Sequence, residues 1–207
     1  MLGCRPSAFP FEQGTKLGKG EEEAQVDTTQ YRRLVGRLLY LQATRPDVTY
    51  AVNFLSQFVS DPRQNHLEAA KRVLRYLKGT PRQGILLSCE GPTILTAYCD
   101  LDWLGCPFTR RSRTGYLLLF SGGAISWKTK KQSVVSRSSA EAEYRAMAST
   151  ISEILWVRWL LKDMQVQLTT PTSLFCDNQA ARHIVNNPVH HERTKHVEMD
   201  CFFSVNV

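Results

Sequence analysis

The sequence predicts an α/β protein in which a small helical segment precedes a mixed β-sheet with covering helices. Three observations lead to this fold class. Apolar residues recur at helical spacing through residues 28–80 and at strand spacing after Gly79. A long segment with a strong helix-start signal follows these strands, and another strand, ending on Cys176-Asp177, follows that helix. Strands and helices in this order are typical of a sheet with helices packed on it.

The composition is that of an ordinary globular protein with a surplus of basic residues. The 207 residues are 43% hydrophobic, and 26 Lys and Arg against 19 Asp and Glu give a net charge of +7. This surplus favours a polyanionic partner without identifying one. No apolar run reaches the roughly 18 residues of a membrane-spanning helix. The six cysteines form no CxxC pair, so we expect reduced thiols, an intracellular location and no membrane partner.

The first part of the chain is predicted to be a flexible leader followed by a helical bundle. Residues 1–27 are polar and show no period, which is typical of a flexible segment. Residues 28–80 carry three amphipathic stripes separated at Arg45-Pro46 and Asp61-Pro62, because proline ends a helix. Asp47 is predicted to cap the second helix. Short connections favour packing of the three helices against one another.

After residue 80 the sequence predicts strands around one long helix. The predicted strands are joined by Gly- and Pro-containing turns and by an Arg-rich loop at 101–114, and they cover residues 84–88, 94–100, 116–120, 124–127 and 173–177. Further helices are predicted at 178–185 and from Thr194 onward. The right-handed crossover rule places the last strand parallel to the strand at 94–100, with the long helix over both.

A capping box marks the start of the long helix. Ser138 stands three residues before Glu141, a spacing at which both side chains satisfy backbone N–H groups of the first turn. Apolar residues that include Met147 and Leu161 lie within roughly 40° of Glu143 on the helix surface. Glu143 is therefore predicted to face the core and Glu141 to face solvent. A core-facing carboxylate is stable if a buried Arg or Lys pairs with it, if it lies at the solvent-exposed end of the apolar row on the helix, or if it binds a cation.

Two aspartates are predicted to lie near Glu143. Asp100 and Asp177 end strands that are predicted to be parallel neighbours, and open α/β sheets bind ligands at this carboxyl edge. Three converging carboxylates require compensation, which Mg²⁺ or Mn²⁺ with oxygen ligands would supply. Cys99 and Cys176 alternate to the opposite face of their strands, so they are predicted to pack in the core.

Blocks of residues in the same order are similar to one known family. The blocks YCDLDW at 98–103, SSAEAEYR at 138–145, CDNQ at 176–179 and HERTKH at 191–196 resemble the ribonuclease H region of copia-type retrotransposon polyproteins. Residues 31–80, from YRRLVG to RYLKGT, resemble the segment that joins reverse transcriptase to that region. The resemblance extends over about residues 28–203.

The resemblance implies a ribonuclease H-like fold for residues 81–207 and a metal-dependent endonuclease. Such an enzyme cuts the RNA strand of an RNA/DNA hybrid, with Asp100, Glu143 and Asp177 as ligands of Mg²⁺ or Mn²⁺. A reverse transcriptase domain is the second partner that the resemblance suggests. Asp102 is a weaker candidate ligand, for which an exposed position in a loop is the favoured alternative.

The chain departs from the family near its end. The family's fold finishes with a further strand and a helix that bears a fourth acidic residue, whereas this chain stops at Val207. The domain at 81–207 is therefore expected to be incomplete at its C-terminus. Glu198 and Asp200 are candidate substitutes, although a surface role is favoured for each. An inactive remnant that keeps the fold and binds nucleic acid stays open as an alternative, as does an integrase or resolvase.

Basic residues near the predicted acidic site are expected to hold the phosphates of the substrate. The candidates in the Arg-rich loop and beside Trp127 are Arg110, Arg111, Arg113, Lys128, Lys130 and Lys131. A second basic face, on the third helix, indicates either a solvated surface or a nucleic-acid contact, and it consists of Lys71, Arg72, Arg75 and Lys78. His190, His191 and His196 lack a matching Cys or His pair, which disfavours zinc. A histidine near the scissile phosphate could instead transfer protons.

Overall fold

The structure is a computed structural model that describes residues 3–12, 15, 17–18 and 22–177. The chain divides into two compact units, Met1–Ile85 and Leu86–Val207. None of the helices within the described ranges is long and apolar enough to cross a membrane. The helices predicted at 178–185 and from Thr194 onward lie outside the described residues.

The first unit contains three α-helices, at Thr28–Leu41 (α1), Thr49–Leu55 (α2) and Gln64–Gly79 (α3), with short 3₁₀ turns on either side of α2. The Asp27 side chain caps α1 by accepting hydrogen bonds from two backbone N–H groups of its first turn. The amphipathic stripes meet in one core whose members include Tyr31, Val35, Val52, Leu55, Ala70 and Val73. The helical pattern predicted for residues 28–80 is therefore present.

Asp47 does not cap α2, contrary to the prediction. Its carboxylate accepts a hydrogen bond from Arg45 Nη2 at 2.6 Å and another from the Tyr76 hydroxyl at 2.8 Å. Arg45 is only 5% exposed, and a buried guanidinium requires a charged partner and further acceptors. The Thr80 carbonyl supplies one more acceptor at 3.0 Å. The aspartate is thus held by the guanidinium two residues before it and by the hydroxyl of Tyr76 on α3.

The N-terminal segment, predicted to be a flexible leader over residues 1–27, instead lies against α3 at several described positions. Glu12 forms a salt bridge with Arg72 at 2.6 Å. The Lys78 ammonium donates to the Cys4 carbonyl at 2.8 Å. The basic face of α3 therefore contacts the protein's own chain, and the leader prediction is corrected. Charge pattern alone cannot reveal this, because the contacts join residues far apart in sequence.

A buried histidine closes the N-terminal turn of α3. His66 is fully buried, and its ring stacks on Phe58 with centroids 3.8 Å apart. The Arg63 N–H points at Nδ1, 3.0 Å away, so Nδ1 accepts and Nε2 carries the proton. Nε2 then donates to the Gly18 carbonyl at 2.8 Å. Burial lowers the pKa of His66, which agrees with a neutral ring.

The second unit is a mixed four-stranded sheet covered by one long described helix. Its elements are β1 (Leu95–Asp102), β2 (Arg113–Phe120), β3 (Gly123–Lys131), α4 (Ser139–Asp163) and β4 (Ser173–Cys176). The strand order is β3-β2-β1-β4, with β4 parallel to β1 and the other pairs antiparallel. These features confirm the predicted fold class and the parallel pairing across the helical crossover.

The core of this unit lies between the sheet and α4. Leu95 and Ala97 from β1 and Leu118 from β2 pack against Ile154 and Val157 of the helix. Directly opposed residues of neighbouring strands point to the same face of a sheet, so this packing identifies the face that α4 covers. The side chains of alternate residues along each strand lie on the other face.

One predicted strand and the limits of one predicted loop are corrected. Residues 84–88 form no strand, and Leu86 and Leu87 are largely exposed. A short apolar run does not identify a strand when no neighbouring strand forms backbone hydrogen bonds with it. The Arg-rich loop predicted at 101–114 is shorter than expected, because β1 continues to Asp102 and β2 already begins at Arg113.

Candidate metal centre and nucleic-acid surface

The first turn of α4 positions the candidate site. Ser138 is the N-cap, and its hydroxyl accepts a hydrogen bond from the Glu141 N–H at 3.1 Å. The Glu141 carboxylate accepts from the Arg137 N–H and from the Arg145 guanidinium, both at 2.8 Å. Glu141 is only 7% exposed, so the prediction that it points into solvent was wrong. Arg145 lies one turn later on the same helix and compensates the buried charge.

Glu143 faces the core, as the helical spacing predicts. Its residue exposure is 6%. The Cys176 thiol at the end of β4 lies 3.8 Å from Glu143 Oε2. A carboxylate at this depth loses much of its hydration and gains from polar or cationic contacts.

The structure brings Glu143 together with one of the two predicted aspartates. Glu143, Cys176 and Asp177 each offer a ligand atom, and these atoms all lie within 4.8 Å of one another. Glu143 is the buried member, Cys176 is half-buried and Asp177 is exposed. The group therefore opens to solvent on the side of Asp177. We call Glu143, Cys176 and Asp177 the acidic cluster.

Asp100 lies beside the acidic cluster in the sheet but is not one of its members. The last residue pair in the β1–β4 register joins Cys99 to Cys176, and Asp100 is the next residue of β1. Asp100 is exposed, whereas Cys99 is buried against Tyr144 of α4. Strand alternation thus directs the thiol, and not the carboxylate, towards the helix.

The thiol next to Asp100 is part of the core, as predicted. Burial raises the pKa of Cys99 well above its ordinary value, and Cys176 and the charges of Glu143 and Asp100 raise it further. Cys99 therefore stays protonated at neutral pH. Cys176 packs half-buried against the same core, as was also predicted, and its sulfur in addition lies 3.8 Å from Glu143 Oε2. The sequence offered one signal for this contact, which is that Cys176 directly precedes Asp177 at the strand end.

Asp102 is held at the end of β1 and is not a loop residue. Its carboxylate occupies the space that a side chain at Gly105 would need. Partial burial raises the pKa of Asp102, the Arg113 guanidinium lowers it and the Asp100 charge raises it. Asp102 and Arg113 are also paired in the β1–β2 register. The contacts of Asp102 are thus structural ones within this end of the sheet.

The basic residues predicted to hold phosphates fall into three groups by exposure. Arg113 is only 5% exposed, because its guanidinium packs near Asp102, so its prediction as a phosphate ligand is corrected. Arg111 and Lys131 are half-buried. Arg110, Lys128 and Lys130 are exposed and remain candidates for phosphate contacts.

Lys128 and Lys130 share one face of β3, since they are two residues apart on a strand. They pair in register with Tyr116 and Thr114 of β2. Ser126, the preceding residue on that face, donates a hydrogen bond to Glu153 of α4 at 2.8 Å. The two lysines therefore lie on the α4 side of the sheet, at its β3 edge.

Several predicted candidates lie outside the described residues. They are His190, His191, His196, Glu198 and Asp200. Their proposed roles in proton transfer or as substitute ligands stay predictions.

The fold and the acidic cluster define an α/β protein with a candidate cation site at the end of the parallel strands β1 and β4. Comparison with known proteins identifies relatives of this chain. The chain is 44% identical over 203 residues to the Retrovirus-related Pol polyprotein from transposon RE1 of Arabidopsis thaliana, covering 98% of the chain and 14% of that polyprotein. Its identity to the corresponding RE2 polyprotein of the same plant is 45%, with the same coverage.

The chain is also similar to a Pol polyprotein of another plant. The match to the Retrovirus-related Pol polyprotein from transposon TNT 1-94 of Nicotiana tabacum is 37% identical over 206 residues and covers 96% of the chain and 15% of the polyprotein. This chain is therefore similar over almost its whole length to a region of retrotransposon Pol polyproteins, and it spans about one seventh of the length of these relatives. No family model and no solved structure matches the chain.

Proposed function

We propose that the second unit is a ribonuclease H-type endonuclease of a retrotransposon polyprotein, which cleaves the RNA strand of RNA/DNA hybrids. The observation that carries the proposal is the meeting of Glu143, buried on α4, with Asp177 at the end of β4. Homology to Pol polyproteins over almost the whole chain supports this context. The fold is also consistent with it, because the strand that bears Asp100 and the strand that Asp177 directly follows are parallel neighbours.

The residues of the acidic cluster fit a hard divalent cation. Carboxylate oxygens of Glu143 and Asp177 are ligands that Mg²⁺ and Mn²⁺ prefer. They would hold the cation together with Asp100, the next carboxylate along the sheet edge. When bound, such a cation activates a water molecule and stabilises the leaving oxygen of the phosphodiester. The Cys176 thiol is a poor ligand for these ions, and its contact to Glu143 serves instead to orient that carboxylate.

The chain's own residues prepare the site in two ways. The α4 helix holds Glu143 in a fixed place, because the Ser138 cap and the Glu141–Arg145 pair stabilise the turn that carries it. The exposed Lys128 and Lys130 offer cationic contacts for backbone phosphates, which set the position of a duplex without reading its sequence.

A cleavage assay tests the proposal. The full chain is incubated with a labelled RNA/DNA hybrid and Mg²⁺ or Mn²⁺, beside the variants Glu143→Gln, Asp177→Asn and Asp100→Asn. Each substitution should reduce cleavage by about 100-fold or more, the scale of lost transition-state electrostatics. The matched control is Asp163→Asn, an exposed acid at the opposite end of the same helix, which should cut like wild type. Equal cutting by all variants would assign the activity to a contaminant.

The same experiment distinguishes the proposed endonuclease from a second candidate function, that of a folded domain that binds nucleic acid without cutting it. The position of Asp100 outside the acidic cluster favours this candidate, since two ligands hold a cation less firmly than three. It predicts hybrid binding that is unaffected by Asp100→Asn, with no cleavage in any variant. A duplex DNA substrate in parallel tests the integrase or resolvase alternative, which predicts cutting of DNA in preference to the hybrid.

A further inference from the structure

An open cleft lies at the C-terminal end of α4, remote from the acidic cluster. Its volume is about 860 Å³, within the roughly 300–1,000 Å³ typical of small-ligand sites. Trp159 lines this cleft, sixteen residues after Glu143, which corresponds to about 24 Å along the helix axis. The cleft is therefore a separate feature from the proposed cation site.

The cleft combines an aromatic face with positive charge. Trp159 is 64% exposed, although an indole ring of this size normally gains from burial. Arg158 and Lys162 line the same cleft. Neither cation has a salt-bridge partner within the part of the chain that the structure describes. No acidic side chain is among the described residues that line the cleft, so its charge complements an anion.

The backbone at the cleft is fixed by the end of the helix. The Gln165 N–H donates to the Lys162 carbonyl, and the Val166 N–H donates to the Leu161 carbonyl, both at 2.9 Å. These two hydrogen bonds form a Schellman motif, whose turning residue is usually glycine. Here it is Gln165, with φ of 63°, and this residue lines the cleft together with Gln167. The motif thus fixes the backbone from which the Gln165 side chain extends at the cleft wall.

We propose that this cleft binds one unpaired nucleotide of a single-stranded nucleic acid, with its base stacked on Trp159 and its phosphate contacting Arg158 and Lys162. Proteins that hold single strands combine these two elements, an exposed aromatic platform and a cationic track for the backbone. The amides of Gln165 and Gln167 add donors and acceptors for base edges. This binding is independent of the proposed cleavage, because the acidic cluster contributes nothing to it.

Two tryptophans on one helix provide a matched comparison. Trp156 is 54% exposed and lies one turn before Trp159, but it is not among the residues lining the cleft. Binding of fluorescein-labelled oligo(dT) and oligo(U) to the full chain is measured by anisotropy in EDTA, which removes any contribution of a bound cation. Trp159→Ala should weaken binding by about tenfold, since stacking of one base is worth roughly five- to a hundredfold. Trp156→Ala should leave the affinity unchanged.

Further variants test the chemistry of each contact. Trp159→Phe keeps an aromatic face and should restore most of the affinity, whereas Trp159→Leu should not. In Arg158→Gln/Lys162→Gln, the slope of log K against log salt should decrease by about 0.7, because the two side chains contact one phosphate and each neutralised phosphate on a single strand contributes roughly that much. A blunt duplex should bind more weakly than either oligo(dT) or oligo(U), because its bases are not free to stack on an exposed ring.

The proposal is overturned if Trp156→Ala and Trp159→Ala weaken binding equally, because the affinity would then not come from the cleft that Trp159 alone of the two lines. The proposal would also be overturned if Trp159→Leu kept as much of the affinity as Trp159→Phe does. The contribution of residue 159 would then come from apolar burial and not from aromatic stacking. Equal affinity for a single strand and for a blunt duplex would also overturn the proposal. Circular dichroism of each variant confirms that the surface substitutions leave the fold intact.

Discussion

Acidification should destabilise the helical first unit through His66. The ring accepts a hydrogen bond from the Arg63 N–H at Nδ1 and is fully buried. A proton on Nδ1 would abolish this contact and place a charge beside the N-terminus of α3, where the helix dipole is positive. The folded state therefore takes up a proton on His66 less readily than the unfolded state does.

The size of the effect follows from linkage. Burial lowers the pKa of His66 below the ordinary value of 6.5, and the charge of Arg63 lowers it further. The hydrogen bond to the Gly18 carbonyl and the charges of Glu23 and Asp61 raise this pKa, but they do not offset the burial. Stability is then present above pH 6.5 and is lost as the pH falls towards the folded pKa, because the unfolded chain binds more protons in that window. For a ring that stays neutral when folded, the loss at a pH of about 5.5 reaches about 1.4 kcal/mol.

The measurement is urea unfolding at pH values of about 7.5 and 5.5, followed by far-UV circular dichroism, for wild type and His66→Gln. The variant should lack the extra loss of stability. Tryptophan fluorescence is an internal control, because all four tryptophans lie in the second unit and their transition should respond equally in both proteins. The same pH dependence of the helical transition in wild type and variant would refute the reasoning.

Three further substitutions test local features of the second unit by urea or thermal unfolding. Gln165→Gly should stabilise by about 1 kcal/mol, because the residue adopts a left-handed conformation that glycine adopts without strain. An unchanged or lower stability would contradict this. Arg145→Ala should destabilise by about 2 kcal/mol, because it leaves the buried Glu141 carboxylate without its salt-bridge partner; a loss that Glu141→Gln does not relieve would argue against the pair. Gly105→Ala should cost about 1 kcal/mol or less, because its Cβ would meet only the Asp102 carboxylate, which can turn to another rotamer, and Asp102→Ala in the same chain should recover part of that loss.

Features set by local pattern were accessible from the sequence. The start of α4 follows from Ser138, whose hydroxyl caps the helix, and the burial of Glu143 follows from helical spacing alone. The parallel neighbours β1 and β4 follow from the handedness of strand–helix–strand connections. Each of these inferences needs only residues close in sequence or a general rule of chain topology.

Features set by tertiary contact were not accessible. Glu141 is buried at the start of α4, whereas spacing alone placed it in solvent. Arg113 is buried beside Asp102 because β1 and β2 continue further than their apolar residues indicate. The contact of Cys176 with Glu143 depends on how closely α4 packs over the sheet edge, which no periodicity records.

The central claim is that Glu143 and Asp177, with Asp100, form a site for a divalent cation, and paramagnetic broadening by Mn²⁺ tests it most directly. In amide NMR spectra, Mn²⁺ should broaden signals of the first turn of α4 and the ends of β1 and β4 in wild type. Glu143→Gln and Asp177→Asn should abolish this broadening, and Asp163→Asn should retain it. Broadening that is unchanged in Glu143→Gln, or that is centred elsewhere in the protein, would contradict the account.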